Sequence, residues 1–214
     1  MNYEVIATGS TGNAVLINDR ILIDCGVAWK KLGPYAKKIK LVLLTHIHGD
    51  HFKPSTVRSI HRERPSVRFG CCMWMAKALM EAGVRAGSID ILSSDYYSEY
   101  DGIARVQPVN TLHNVYNCAY RLVIDGKRVF YATDCSTLGG ISAKDYDLYM
   151  IEANHTRADI EARISEKRAA GAYAYEIEAM RNHLSREQAE EWLALNAGPN
   201  SKYVFLHQHK EDNA

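Results

Sequence analysis

The sequence predicts an α/β domain whose strands fall into two similar halves, and three observations carry that expectation. Short, almost unbroken apolar runs, at Leu41–Leu44 and over 147–151, read as strands covered on both faces. Between such runs lie segments with apolar residues at helical spacing, opened by Pro or a capping residue and closed by Gly. A strand ending in Asp-Cys occurs twice, as Ile23-Asp24-Cys25 and Thr133-Asp134-Cys135, and each time a buried strand follows that ends near a histidine, His46 or His155. The aspartates stand 110 residues apart (24 to 134) and the histidines 109 (46 to 155), the spacing of an internal repeat.

Taken in order, Tyr3–Ala7 is a first strand. Thr8-Gly9-Ser10-Thr11-Gly12-Asn13 follows as a plain turn, since no Gly-Lys-Ser/Thr ending and no helix make it a phosphate loop. Ala14–Ile17 and 20–24 form a hairpin across Asn18-Asp19, and Asp24 at its end is a strand cap or an orienting group for a histidine. The lysine-rich stretch 28–40 reads as a short helix or loop with a solvated face. After Leu41–Leu44 come a helix from Pro54 to about residue 64, a strand over 67–72, and a helix over 74–82 with Met75, Leu79 and Met80 as core filler. Residues 89–92 make a short strand, and Tyr96, Tyr97 and Tyr100 sit in a loop. Strands over 104–112, 118–124 and 128–132 follow, the last two a hairpin across Asp125-Gly126. The segment 156–181 alternates charge around Ile160 and Ile164, a solvated amphipathic helix interrupted by Gly171. Ser185 to Gln188 is a capping box for one more helix, and Lys202–Leu206 is the final strand.

With 214 residues, 47% of them hydrophobic, the chain can bury about 70% of its unfolded surface as one domain over 1–214. A net charge of +1 creates no global field to draw in nucleic acid or a membrane, so any polyanion contact must be local. Five cysteines without a C-x-x-C pair point away from a disulfide framework and toward a reducing compartment. There is no basic, then apolar, N-terminal leader and no apolar window long enough to span a bilayer, so a cytoplasmic protein is expected.

Chemistry concentrates where predicted strands end. His46, His48, Asp50 and His51 follow the Leu41–Leu44 run within six residues, and His113, Asp134 and His207 follow other strands. Crowded imidazoles and carboxylates each need a partner, whereas a divalent ion satisfies them together. His46 and His48 alternate on one side of an extended loop while Asp50 and His51 turn back, so one segment can serve two adjacent ions. Such a pair activates water and clamps both oxygens of a displacement, which is hydrolytic chemistry. His and Asp donors accept zinc, the first choice here, and also manganese or iron.

The segment Thr45-His46-Ile47-His48-Gly49-Asp50-His51, with His113, Asp134 and His207 following in order, resembles the signature of the metallo-β-lactamase-fold hydrolases. Gly9 to Asn13, Leu22 to Gly26, Ala132-Thr133-Asp134, Glu152 to His155, His183-Leu184-Ser185, and His207 before Glu211-Asp212-Asn213 resemble the WalJ-type exonuclease-like branch, and the likeness spans nearly the whole chain. His209 departs from that branch, which has Ser there. The resemblance implies an αβ/βα four-layer sandwich with His46, His48 and His113 on one metal and Asp50, His51 and His207 on a second. Asp134 would bridge the two, Asp24 would stand behind them, and Asp50 would steer the attacking hydroxide. Glu152 and His183 resemble the carboxylate and imidazole that assist the leaving group in ribonuclease Z relatives.

The function expected is thus a dinuclear phosphodiesterase or nuclease with a nucleic acid or other phosphodiester as partner. Arg157, Arg163, Arg168, Arg181 and Arg186 are either phosphate-holding groups or a solvated helix surface. Two further readings use the same residues: hydrolysis of a small ester, thioester or lactone, and a non-catalytic binding domain that keeps the metals for stability.

Overall fold

Residues 1–208 are described in a computed structural model of the chain, in which the apolar runs become the strands of two six-stranded sheets. In sequence order the first holds β1 (Tyr3–Ala7), β2 (Ala14–Ile17), β3 (Ile21–Ile23), β4 (Leu41–Leu44), β5 (Arg68–Cys71) and β6 (Ile89–Ile91). The second holds β7 (Ser98–Tyr100), β8 (Ala104–Thr111), β9 (Asn117–Ile124), β10 (Lys127–Ala132), β11 (Leu148–Glu152) and β12 (Lys202–Leu206). Each sheet starts with antiparallel strands and continues in parallel ones, β3 to β6 in the first and β10 to β12 in the second. Ile23 lies opposite Leu43, and Ala132 opposite Ile151, so Asp24 and Asp134 leave equivalent strands of equivalent sheets. The internal repeat in the sequence is therefore a repeated topology.

Among the described residues six helices flank the sheets: α1 (Trp29–Leu32), α2 (Pro54–Glu63), α3 (Met73–Glu81), α4 (Arg157–Ala169), α5 (Glu176–Asn182) and α6 (Arg186–Asn196). The pleat sends alternate side chains to opposite faces. Leu16, Leu22, Val42, Leu44 and Phe69 meet Val57 and Ile60 of α2 and Met75 and Leu79 of α3. Their neighbours Val15, Ile17, Ile23, Leu41 and Leu43 meet Tyr120, Leu122, Tyr131 and Met150 of the other sheet. Phe130, Ala132, Tyr149 and Ile151 face outward again, onto Ala189, Trp192 and Leu193 of α6. Helix, sheet, sheet, helix is the four-layer αβ/βα sandwich expected. The α6 capping box forms in full, Ser185 accepting from Gln188 N while the Gln188 side chain accepts from Ser185 N.

Two local expectations fail. Tyr100 belongs to a strand, because β7 pairs with the start of β8 through Ser98–Val106 and Tyr100–Ala104, a long-range pairing too short to leave a pattern of its own. Met80 is 49% exposed: it follows buried Leu79 and lies about 100° around the helix from it, outside the core stripe. The five cysteines are free and buried. No helix among the described residues is long and apolar enough to cross a membrane. Parallel strands point the same way, so β3, β4, β10, β11 and β12 deliver their next residues to one edge of the sandwich.

Candidate metal centre

β4 passes through buried Thr45 to His46 and His48, and the chain then doubles back, with His51 N and Phe52 N both donating to His48 O. Gly26 lies against the back of this turn, where a Cβ would sit 1.7 Å from Asp50 O. Asn13 N donates to Asp50 O at 2.6 Å and Cys25 N to His51 O at 2.9 Å, so two other strand ends clamp the turn. Asp24, Asp134 and His207 stand just after β3, β10 and β12 with φ of 58°, 53° and 51°. Non-glycine residues in the left-handed region are strained, and such strain gathers at functional sites; here it bends each side chain inward at a strand end.

The residues named from the sequence converge. Ligand atoms of His46, His48, His113 and Asp134 lie within 4.8 Å of one another, as do those of Asp50, His51 and Asp134, and those of Asp134, Glu152, His183 and His207. Asp134 is common to all three groups, and its two oxygens divide between them. Oδ2 is 3.8 Å from His46 Nε2 and 3.9 Å from His113 Nε2, whereas Oδ1 is 3.2 Å from His51 Nε2 and 2.7 Å from His207 Nδ1. His207 also stands 3.2 Å from Glu152 Oε1, between the second group and the Glu152–His183 pair.

The far nitrogen of several rings is already tied, which aims the near one at the centre. Thr45 Oγ1 lies 3.0 Å from His46 Nδ1, Asp24 Oδ2 is 2.7 Å from His51 Nδ1, and the Asn182 carbonyl is 3.1 Å from His113 Nδ1. The freed nitrogens then crowd: His46 Nε2 and His113 Nε2 stand 3.1 and 3.3 Å from His48 Nδ1, with at most one proton on His48 Nδ1 to share between them. Buried His207 Nδ1, despite its 2.7 Å approach to Asp134, makes no hydrogen bond among the described residues. Nitrogens aimed at a shared point rather than at each other are the donor set of a divalent cation, so these residues fit one.

Electrostatics agree. Burial and the neighbouring His51 lower the His46 imidazole to about 2, a neutral ligand at any working pH. Burial also opposes charge on His51 and His207, yet Asp134 with Asp24 raises the first, and Asp134 with Glu152 raises the second to about 10. Burial likewise disfavours the Asp134 carboxylate, but His51 and His207 hold it well below the usual range. Buried carboxylates demand compensating positive charge, and protons on His51 and His207 occupy the role that a cation fills better.

Glu152, at the end of β11 and fully buried, accepts from Cys135 N and Leu184 N on Oε2 and stands 2.5 Å from His183 Nδ1 through Oε1. His183 sits between α5 and α6 with 17% of its side chain exposed, its ring 5.3 Å from that of His113 and 5.0 Å from that of His207. Burial alone would lower its pKa; the Glu152 carboxylate reverses that and raises it.

One participant was read from the sequence only as part of a turn. The Gly9 to Asn13 turn binds no phosphate-loop helix, but buried Asn13 locks it by bonding Gly9 N and O, and places its Nδ2 2.8 Å from His51 Nε2 and 3.3 Å from Asp50 Oδ2. A buried Asn in a glycine turn was the available signal. Asp24 is both cap and orienting group, taking Thr45 N and Oγ1 as well as His51. His155 is buried beside Asn154 and outside the three ligand groups. Arg181 and Arg186 pair with Glu178 and Glu190 on exposed helix surfaces, and Arg157 lies 4.0 Å from Glu191. His209 and the Glu211-Asp212-Asn213 motif lie outside the described residues.

Comparison with known proteins places this fold. The family described as Beta-lactamase superfamily domain matches residues 19–207. Among solved structures, the metallo-beta-lactamase fold protein YhfI from Bacillus subtilis is 17% identical with a TM-score of 0.72, covering 98% of this chain and 86% of that one. Human tRNase Z, short form, is also 17% identical, with a TM-score of 0.70 over 98% and 93% of the two chains. A diphosphatase from the PhnP family is 15% identical, with a TM-score of 0.68 over 96% and 85%. At such identities the likeness is one of fold. No curated protein matches by sequence.

Proposed function

The chain belongs to the Beta-lactamase superfamily domain family, and from that premise we propose that it is a metal-dependent phosphodiesterase, a nuclease of exonuclease type acting on nucleic acid. The observation that carries the reading is the Glu152–His183 pair, a buried carboxylate holding a half-buried imidazole beside Asp134 and His207. Thioesters and aryl esters expel thiolates or aryloxides that need no proton, whereas the sugar alkoxide of a phosphodiester departs best when protonated, the work a buried carboxylate–imidazole pair suits. Two of the structural neighbours bear names that specify a reaction, a tRNase and a diphosphatase, and both names are of phosphorus chemistry, which supports the same choice.

His46, His48 and His113 would hold one divalent ion and Asp50, His51 and His207 another, with one Asp134 oxygen toward each group. Bound there, zinc, or manganese or iron, supplies Lewis acidity to a phosphoryl oxygen and to water. The remaining work falls to side chains. Asp50, at the exposed side of the rim, orients the attacking water by accepting its hydrogen. Glu152 fixes His183 through Nδ1–H and, by raising its pKa, keeps a proton on Nε2 for the departing oxygen.

The test is a substrate panel with Zn²⁺ or Mn²⁺ on wild type and His183→Ala. Wild type should cleave bis-nitrophenyl phosphate and labelled single strands, and the variant should lose about 10²–10⁴ in kcat at unchanged metal content. Turnover of esters, thioesters or lactones that survives His183→Ala, with phosphodiesters untouched, would replace this reading. Fewer than one ion per chain, unchanged in His46→Ala, would instead indicate a binding domain.

A further inference from the structure

One flank of the metal rim is apolar. Ile47 stands between His46 and His48, and Leu112 precedes His113, yet their side chains are 43% and 67% exposed. Tyr116 is 78% exposed and lies with its ring stacked on Trp74, centroids 5.6 Å apart and planes at 26°. Trp74 is itself packed partly into both cores of the first sheet, so Tyr116 rests on a fixed base rather than swinging freely. These four residues and His113 line one cavity of about 750 Å³, and among the described residues no Lys, Arg, Asp or Glu lines it.

That combination selects its occupant. A phosphate or a carboxylate finds no cation there. A flat π-system gains a stacking face from Tyr116 and apolar edges from Ile47 and Leu112. His113 is shared by the cavity and the rim, so a ring seated in one and a phosphoryl group at the other can belong to one molecule. Bases in a duplex are already stacked on their neighbours, whereas those of a single strand present a free face.

We propose that the Trp74–Tyr116 stack seats the nucleobase next to the scissile phosphodiester of a single-stranded polynucleotide. The proposal rests on the phosphodiesterase reading and supplies its substrate class. Stacking reads the face that every base possesses, so the seat is tolerant of sequence and serves DNA and RNA alike. Its edge over an aliphatic acyl chain is the exposed flat ring itself.

The experiment uses the metal-loaded chain with fluorescein-labelled dT and U dodecamers, intact or carrying one abasic residue at successive positions near the end attacked. Cleavage kinetics are paired with anisotropy titrations on phosphorothioate versions of the same strands. Tyr116→Ala should raise KM and Kd at least about fivefold with kcat little changed, one abasic position should do the same to wild type, and Tyr116→Phe should restore both constants. At 78% exposure the position tolerates truncation without unfolding. If strands are cleaved but neither the abasic series nor Tyr116→Ala moves KM or Kd, the seat is refuted while the phosphodiesterase reading stands. If Tyr116→Ala changes KM only for long-chain acyl esters, the cavity holds an acyl chain and the proposal fails. If neither strand nor bis-nitrophenyl phosphate is cleaved, the underlying reading falls and the nucleobase seat falls with it.

Discussion

Gly26→Ala should disable the proposed metal centre without touching any of the clustered histidines and carboxylates. The added Cβ would lie 1.7 Å from Asp50 O, 1.9 Å from Asp50 C and 2.4 Å from His51 N, all backbone atoms that no rotamer change can clear. Reaching even 3.0 Å from Asp50 O requires the peptide to retreat by 1.3 Å. That peptide is held by Asn13 N on Asp50 O and Cys25 N on His51 O, so the retreat breaks or stretches both bonds. Overpacking of this kind costs about 1–3 kcal/mol, and the two weakened hydrogen bonds bring the total to about 3 kcal/mol. For a chain of this length that is a fall of about 6–12 °C in Tm. The functional loss should be larger, about 10²-fold, because Asp50 and His51 move by about an ångström from where the rim needs them. Elemental analysis of the purified variant, a melting curve and turnover of bis-nitrophenyl phosphate measure all three. Full metal content with wild-type turnover would show that the turn yields freely and that Gly26 does not set the geometry.

Three further outcomes are expected. Asp24→Asn leaves an oxygen to accept from Thr45 N but turns an amide NH₂ toward His51 Nδ1, and metal affinity measured by competition with a chromogenic chelator should drop about 10–100-fold; an unchanged affinity would mean that His51 is oriented without the Asp24 carboxylate. Stripping the chain with a chelator and restoring Zn²⁺ at about a hundred times its dissociation constant should raise Tm by about 5–11 °C, an increment that His46→Ala should lose. Burial opposes the Glu176 carboxylate, but Lys167, 2.7 Å away, outweighs it and lowers the pKa. Its contribution is therefore complete above the ordinary carboxylate value of about 4.3 and is lost as pH falls from there through the lowered folded value. Protection factors for amide exchange in α4 and α5 should fall over that window in wild type more than in Glu176→Gln, and an equal fall would refute the assignment.

The elements were legible in the sequence wherever pattern is local. Four aliphatics in a row announce β4, Asp125-Gly126 announces the β9–β10 hairpin, and Ser185 to Gln188 announces α6, because propensity, turn chemistry and capping act within a few residues. β7 was hidden because its three residues are a strand only by virtue of β8. The rim was legible for a related reason: parallel strands release their next residues at one edge, so the positions of His46, His113, Asp134 and His207 after predicted strands already foretold convergence.

The sequence by itself determined which residues arrive at that edge and in what chemical kind. Only the tertiary structure decided how they divide, giving one Asp134 oxygen to His46 and His113 and the other to His51 and His207. It also decided what stands behind and beside them: Asn13 against His51, Asn182 behind His113, Gly26 beneath Asp50, and Tyr116 laid on Trp74. These partners are far apart along the chain, and the contact of each depends on strand register and sheet packing settled across the whole sandwich, which no local window of sequence contains.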